Sequence, residues 1–126
     1  MKGSERVLFV DDEGQIVDAI GEGLNDFGYE VIGVKDSFEA LNIFRANPKI
    51  FDIIIIDQTM PGLLGSDLGK EIMKIRKEIP IIICTGYSDN LDRERAMKMG
   101  FREFVVKPTT SANLALLIRK IMDKKD

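Results

Sequence analysis

Ile53-Ile54-Ile55-Ile56-Asp57, running on into Gln58-Thr59-Met60-Pro61-Gly62, is the stretch that decides the architecture. Four consecutive isoleucines leave no polar position to face water, so a strand here must be covered on both faces. Ile81-Ile82-Ile83-Cys84 repeats the pattern and runs into Thr85-Gly86. Continuously apolar strands belong to parallel sheets with helices packed on each side. Working outward, strand-like runs fall at about 5–10, 29–34, 51–56, 80–85 and 102–106, and helix-like stretches at about 13–27, 37–46, 65–78, 89–99 and 110–124.

The spacing of apolar residues supports that division. Ile16, Ile20, Leu24 and Phe27 recur near a 3.6-residue period, as do Leu114, Leu117, Ile118 and Ile121. Gly28, Pro48 and Gly100 stop helices, while Asp36-Ser37 and Thr110-Ser111 supply N-terminal caps. Five strand–helix alternations imply right-handed crossovers and an open, doubly wound α/β sheet. Five strands favour the flavodoxin-like (βα)5 order 2-1-3-4-5, with the functional edge at the strand carboxyl ends beside strands 1 and 3. A single domain over residues 5–124 is expected, with Met1–Glu5 and Asp123–Asp126 as frayed ends.

Composition narrows the function. The chain has 126 residues, 44% hydrophobic and 31% charged, which suits one globular domain with a true core. A net charge of -3 argues against an electrostatic nucleic-acid binder. No apolar stretch is long enough to span a bilayer and no signal-peptide core opens the chain, so a cytoplasmic protein without membrane contact is expected. The one cysteine, Cys84, is read as a small buried hydrophobe. With no histidine, the chain offers neither imidazole catalysis nor a phosphohistidine of its own.

In the 2-1-3-4-5 order, four strand ends meet. Val7–Val10 leads into Asp11-Asp12-Glu13, Ile53–Ile56 into Asp57, Ile81–Cys84 into Thr85-Gly86, and Phe104–Val106 into Lys107-Pro108. Three carboxylates brought within a few ångströms repel one another unless protonated or neutralised by a cation. Hard oxygen ligands with room for water suit Mg2+. Asp57 could attack phosphorus as a nucleophile, and Thr85 and Lys107 could each hold a phosphoryl oxygen, with Lys107 pairing with the carboxylates beforehand. Gly86 leaves the approach beside Thr85 open. A cis bond before Pro108 would aim Lys107 inward, though spacing alone does not decide it. Taken one at a time, each residue has a plainer reading: an acidic helix start, an aspartate before a turn, a strand-ending threonine, a solvated lysine.

Together these residues resemble the receiver domain of bacterial two-component response regulators. The likeness rests on Asp11-Asp12-Glu13, Asp57 with Met60-Pro61-Gly62 and Gly65, Thr85-Gly86, and Phe104-Val105-Val106-Lys107-Pro108. It implies that Asp57 accepts a phosphoryl group from a histidine kinase or histidine phosphotransfer protein. It implies Mg2+ held by Asp12, Asp57 and the Thr59 backbone carbonyl, with Asp11 assisting through water. It further implies that Thr85, Gly86 and Lys107 hold the phosphoryl oxygens, and that Thr85 and Phe104 switch the surface of the fourth helix, fifth strand and fifth helix for partner binding or weak dimerisation. Without the likeness, Phe104 reads equally well as a core aromatic, and Met97 and Met99 as ordinary helix packing.

Leu64 departs from the commoner family residue before Gly65, which should affect the loop more than the chemistry. Thr59 and Tyr87 fall at positions that tune dephosphorylation in this family, and bulky Tyr87 is expected to hinder water and lengthen the phosphoryl lifetime. The segments Gly3–Glu13 and Thr85–Ser88 look like receivers attached to hybrid histidine kinases; a freestanding regulator is the other context, and no output activity is expected from these residues. An aspartyl-phosphate phosphatase of the haloacid dehalogenase type is the rival, but it generally needs a second aspartate where Thr59 stands. Nucleotide-binding glycine motifs are absent.

Overall fold

The computed structural model describes residues 3–86 and 89–124. Five strands alternate with five helices: β1 (Arg6–Val10), α1 (Gly14–Asp26), β2 (Glu30–Val34), α2 (Ser37–Ala46), β3 (Ile53–Asp57), α3 (Gly65–Ile75), β4 (Ile81–Thr85), α4 (Arg93–Met99), β5 (Glu103–Val106) and α5 (Ser111–Met122). The strands form one sheet in the order β2-β1-β3-β4-β5, every neighbour parallel. This is the flavodoxin-like doubly wound fold, with its strand order as expected.

The isoleucine run explains itself in the packing. Ile54 and Ile56 join Leu8, Val10, Ile81 and Ile83 against α2, α3 and α4, where Phe44, Leu68, Ile72 and Ala96 are fully buried. Ile53 and Ile55 face the other way, with Val7, Phe9, Ile82 and Val105 beneath Leu24 of α1 and Leu114 and Ile118 of α5. Each fully buried isoleucine contributes about 1.5–3 kcal/mol. A polar residue anywhere in the run would land in one of two cores.

Register sets the level at which the strand ends emerge. Val10 lies opposite Ile56, so Asp11 emerges level with Asp57. Asp57 pairs with Cys84, and Thr85 with Val106, which delivers Lys107 one step past β5.

Several boundaries differ from expectation. Expected over 89–99, α4 begins only at Arg93, because Asp92 takes the cap and accepts the Arg95 N–H at 2.8 Å. Expected to reach 78, α3 stops at Ile75; Arg76 turns extended, and its guanidinium donates to the Pro48 and Phe51 carbonyls. Asp36 and Thr110 do cap α2 and α5, accepting from Phe38 and Asn113. Gly100, at φ 106°, ends α4 in the left-handed conformation that a side chain would strain. The N-terminal end is less frayed than its charge suggested: Glu5 is ion-paired with Arg119 of α5, and the Gly3 N–H donates to the Phe27 carbonyl.

Candidate functional site

Asp57, the last residue of β3, is 5% exposed. Lys107 reaches back from the end of β5 and donates to Asp57 Oδ1 at 3.2 Å and to Asp11 Oδ2 at 3.1 Å. Lys107 therefore bridges carboxylates from two strands, as the sequence suggested for the state before phosphate arrives. The Lys107–Pro108 peptide is cis. Asp11 is buried, and its other oxygen accepts the Glu13 N–H at 2.9 Å, which fixes the turn into α1. Asp12 is exposed, yet one oxygen each from Asp11, Asp12 and Asp57 fall within 4.8 Å of one another.

The electrostatics follow from this crowding. Burial, and then the neighbouring Asp11 charge, push the Asp57 carboxyl up to about 6 despite the pull of Lys107. Burial alone would lower Lys107; its hydrogen bond to Asp11 and the two carboxylate charges outweigh that and push it up to about 12. One ammonium thus serves two buried carboxylates and leaves Asp57 poorly compensated. Cys84, opposite Asp57 in the sheet, is buried, and burial with the Asp57 charge pushes its thiol to about 12, so it stays neutral.

The segment after Asp57 is rigid for reasons of its own. Gln58 is buried, accepts the Ser66 N–H at 2.7 Å with its side chain, and donates to the Ser66 hydroxyl at 3.0 Å. Its carbonyl accepts the Gly65 N–H at 2.8 Å. A Cβ on Gly65 would lie 2.2 Å from the Asp57 carbonyl oxygen, so only glycine lets α3 start this close to β3. Leu64, at the α3 N-cap, is exposed and makes no capping bond.

A cleft of about 400 Å3 opens over Asp57. Asp12 and Glu13 line it from the β1 end, Thr59 from the segment after β3, Gly86 and Asp89 from beyond β4, and Lys107 from β5. A second cavity of about 560 Å3, largely apolar, lies on the other side of Lys107 between α1 and Pro108-Thr109 and also reaches Asp57 and Gly86. Thr85 ends β4 and is buried, its carbonyl accepting the Lys107 N–H at 2.7 Å; it does not line the cleft. Phe104 is half-buried against the α2–α4 side of the core, with the Arg93 guanidinium 5.7 Å from its ring centroid. Tyr87 and Ser88 lie outside the described residues.

Sequence reasoning missed Asp89. Its carboxylate accepts the Gly86 N–H at 2.7 Å and the Thr59 hydroxyl, two groups it had no evident reason to meet. The only signal was an acid within a few residues of Thr85-Gly86, and the expected helix over 89–99 had already absorbed it.

Comparison with known proteins bears on the fold and the family. The chain is 34% identical over 123 residues to the probable transcriptional regulator ycf27 of Porphyridium aerugineum, covering 97% of this chain and 50% of that one. A similar protein from Guillardia theta is 35% identical, so the chain spans about half the length of the curated relatives it matches. Among solved structures, a response regulator receiver domain protein from Clostridium thermocellum superposes with a TM-score of 0.89 at 36% identity, covering 95% of each chain. The chemotaxis protein CheY4 of Vibrio cholerae gives 0.84 at 28% identity, covering 94% of this chain and 99% of its own. The sequence profile of the response regulator receiver domain matches residues 7–119, and the chain belongs to that family.

Proposed function

We propose that this domain takes a phosphoryl group on Asp57, with Mg2+, from a phosphohistidine on a histidine kinase or phosphotransfer protein. The observation that carries the reading is a buried, undercompensated carboxylate at a strand end, with Lys107 on one oxygen and the Asp11 and Asp12 oxygens alongside. An ionised Asp57 oxygen forms the new bond to phosphorus. The bond from phosphorus to the donor nitrogen breaks, and its electron pair leaves with the imidazole. Lys107 is placed to hold a phosphoryl oxygen as negative charge gathers.

The donor set suits a small hard cation: three carboxylates with an oxygen each within 4.8 Å of the others, Asp12 and Asp57 lining the cleft, with the Thr59 carbonyl as the further ligand suggested by family likeness. Bound there, Mg2+ would offset the repulsion between the carboxylates and an anionic donor. Thr85 is buried beside this site, the Phe104 ring sits under Arg93 of α4, and Arg93 and Lys120 of α5 both donate to Glu103 of β5, so on this reading a move of Thr85 toward phosphate would be felt at α4, β5 and α5.

On this reading the domain catalyses only its own phosphorylation and dephosphorylation. The haloacid dehalogenase alternative fares worse, because Thr59 stands where its second aspartate belongs. The relatives named as transcriptional regulators are about twice as long, which favours a regulator with a separate output module as the setting over a hybrid kinase. Among the described residues no helix is long and apolar enough to cross a membrane.

Incubation with acetyl phosphate or phosphoramidate and Mg2+, followed by intact mass, tests the reading. One phosphoryl adduct is expected, absent in Asp57→Ala and without Mg2+. No adduct from either donor overturns it, and sustained turnover of phosphate monoesters would favour the phosphatase.

A further inference from the structure

Asp89 makes two contacts that neither the fold nor α4 requires. The α4 cap belongs to Asp92, and the preceding Leu91 is buried in the core, so the start of the helix is secured without Asp89. Its carboxylate instead turns toward the cleft over Asp57. Oδ2 accepts the Gly86 N–H at 2.7 Å, and Oδ1 accepts the hydroxyl of Thr59 from across the opening. Gly86 lines both cavities that reach Asp57, and among the described residues a Cβ built on it would meet nothing closer than Asp89 Oδ2 at 3.9 Å. Gly86 thus borders the cleft with space beside its Cα, and the group held on its N–H is an anion.

Electrostatics do not favour the placement. Among the described residues the cleft is lined by Asp12, Glu13, Asp57 and Asp89 against one cation, Lys107. A fourth carboxylate in that lining adds repulsion, to the other carboxylates and to any anionic donor. Besides the Thr59 hydroxyl and the Asp89 N–H, which donates to the Gly86 carbonyl at 3.2 Å, what holds the carboxylate is a charge-assisted bond from the Gly86 N–H, the kind of bond a phosphoryl oxygen would also make.

We propose that Asp89 is a resident competitor for the Gly86 N–H, a built-in anion that the incoming phosphoryl group must displace. The inference rests on Asp57 being the phosphoacceptor. In the unmodified domain Asp89 occupies the amide and repels the donor. Once the phosphoryl oxygen takes that N–H, the carboxylate is released and the Thr59 hydroxyl with it, so the segments following β3 and β4 lose their link. Asp89 does not touch the reacting atoms; it is a positioning residue that lowers the affinity of the site for its own product.

Beryllium fluoride, a non-covalent mimic of the phosphoryl group, separates this role from a structural one. With Mg2+ present and 15N-labelled protein, the Gly86 amide resonance is followed through a titration with beryllium fluoride in the parent, Asp89→Ala and Asp89→Asn. The expected result is half-saturation on the order of tenfold lower in Asp89→Ala, with Asp89→Asn between, since it keeps an acceptor but loses the charge. A residue that merely pinned the segment would give the opposite sign, because a loosened Gly86 must then be ordered on binding. If the parent binds through Asp57 while both variants bind equally or more weakly, the competitor role is overturned and the phosphoacceptor reading stands. If the parent binds none, both fall.

Discussion

Asp57 holds its proton more tightly than an ordinary aspartate because burial and Asp11 oppose its charge, and Lys107 is shared. A carboxyl whose folded pKa is raised from 3.8 to about 6 costs stability above that range. At neutral pH and without divalent metal, Asp57→Asn should therefore stabilise the domain by about 1–3 kcal/mol. The gain should shrink as pH falls from 6 toward 4, where the parent's Asp57 takes up its proton. Urea unfolding of both proteins in chelator at pH 7.5 and pH 4.5 checks this; a less stable Asn variant at pH 7.5 would show that the lost Lys107 contact outweighs the relieved charge. At this scale the sequence revealed most of the site. Asp57 ends β3, Asp11 and Lys107 follow β1 and β5 directly and Asp12 comes one residue later, and strand ends are positions that periodicity locates. Asp89 escaped because its place depends on where a loop turns, and nothing periodic marks that. The burial of Thr85 away from the cleft was equally invisible, since a strand-ending threonine can point either way.

Between elements, Glu103 ties three together. It opens β5, is 8% exposed, and accepts from Arg93 of α4 at 3.3 Å and Lys120 of α5 at 2.8 Å. Arg93 also donates to the Phe104 carbonyl and stacks over its ring. Of the residues in α4 only Ala96 is buried, so this short helix relies on such polar contacts more than its neighbours do. Burial would raise the Glu103 carboxyl, but the hydrogen bonds from Lys120 and Arg93 outweigh it and hold it below its ordinary 4.5. A depressed acid contributes stability above its unfolded pKa and loses it as pH falls further. Glu103→Gln should cost about 1 kcal/mol at pH 7, a modest figure because both cations are largely exposed. The cost should fade as pH drops below about 4.5. Thermal unfolding across that range, together with amide exchange in α4, measures it; a penalty unchanged at pH 3.5 would point to shape rather than charge. The helix itself was legible from sequence, but its first turn was not, because Asp89 and Asp92 are both acids able to cap; in the fold Asp92 takes the cap while Asp89 accepts from Gly86 and Thr59.

For the molecule as a whole, the strand order was readable because two doubly buried strands leave few arrangements, and the crossover rule removes most of those. That order, more than any single residue, makes the acidic cluster. Asp11 and Asp12 follow β1 and Asp57 ends β3, so the two segments are 45 residues apart in the chain and meet only in the folded sheet. A cation bridging them binds the native state far better than the unfolded one, and its affinity becomes folding free energy. At a free Mg2+ concentration ten times its dissociation constant, the domain should gain about 1.4 kcal/mol. For a chain of this size that corresponds to a rise in melting temperature of about 5 °C. Sodium chloride at matched ionic strength should not reproduce the rise, since general screening acts on every surface charge. Asp57→Asn, already relieved of its charge, should lose most of the Mg2+ increment while starting from a higher melting temperature. Differential scanning calorimetry of the two proteins with and without Mg2+ resolves both changes in one experiment. An equal Mg2+ increment in both would place the cation elsewhere on the acidic surface and detach it from Asp57.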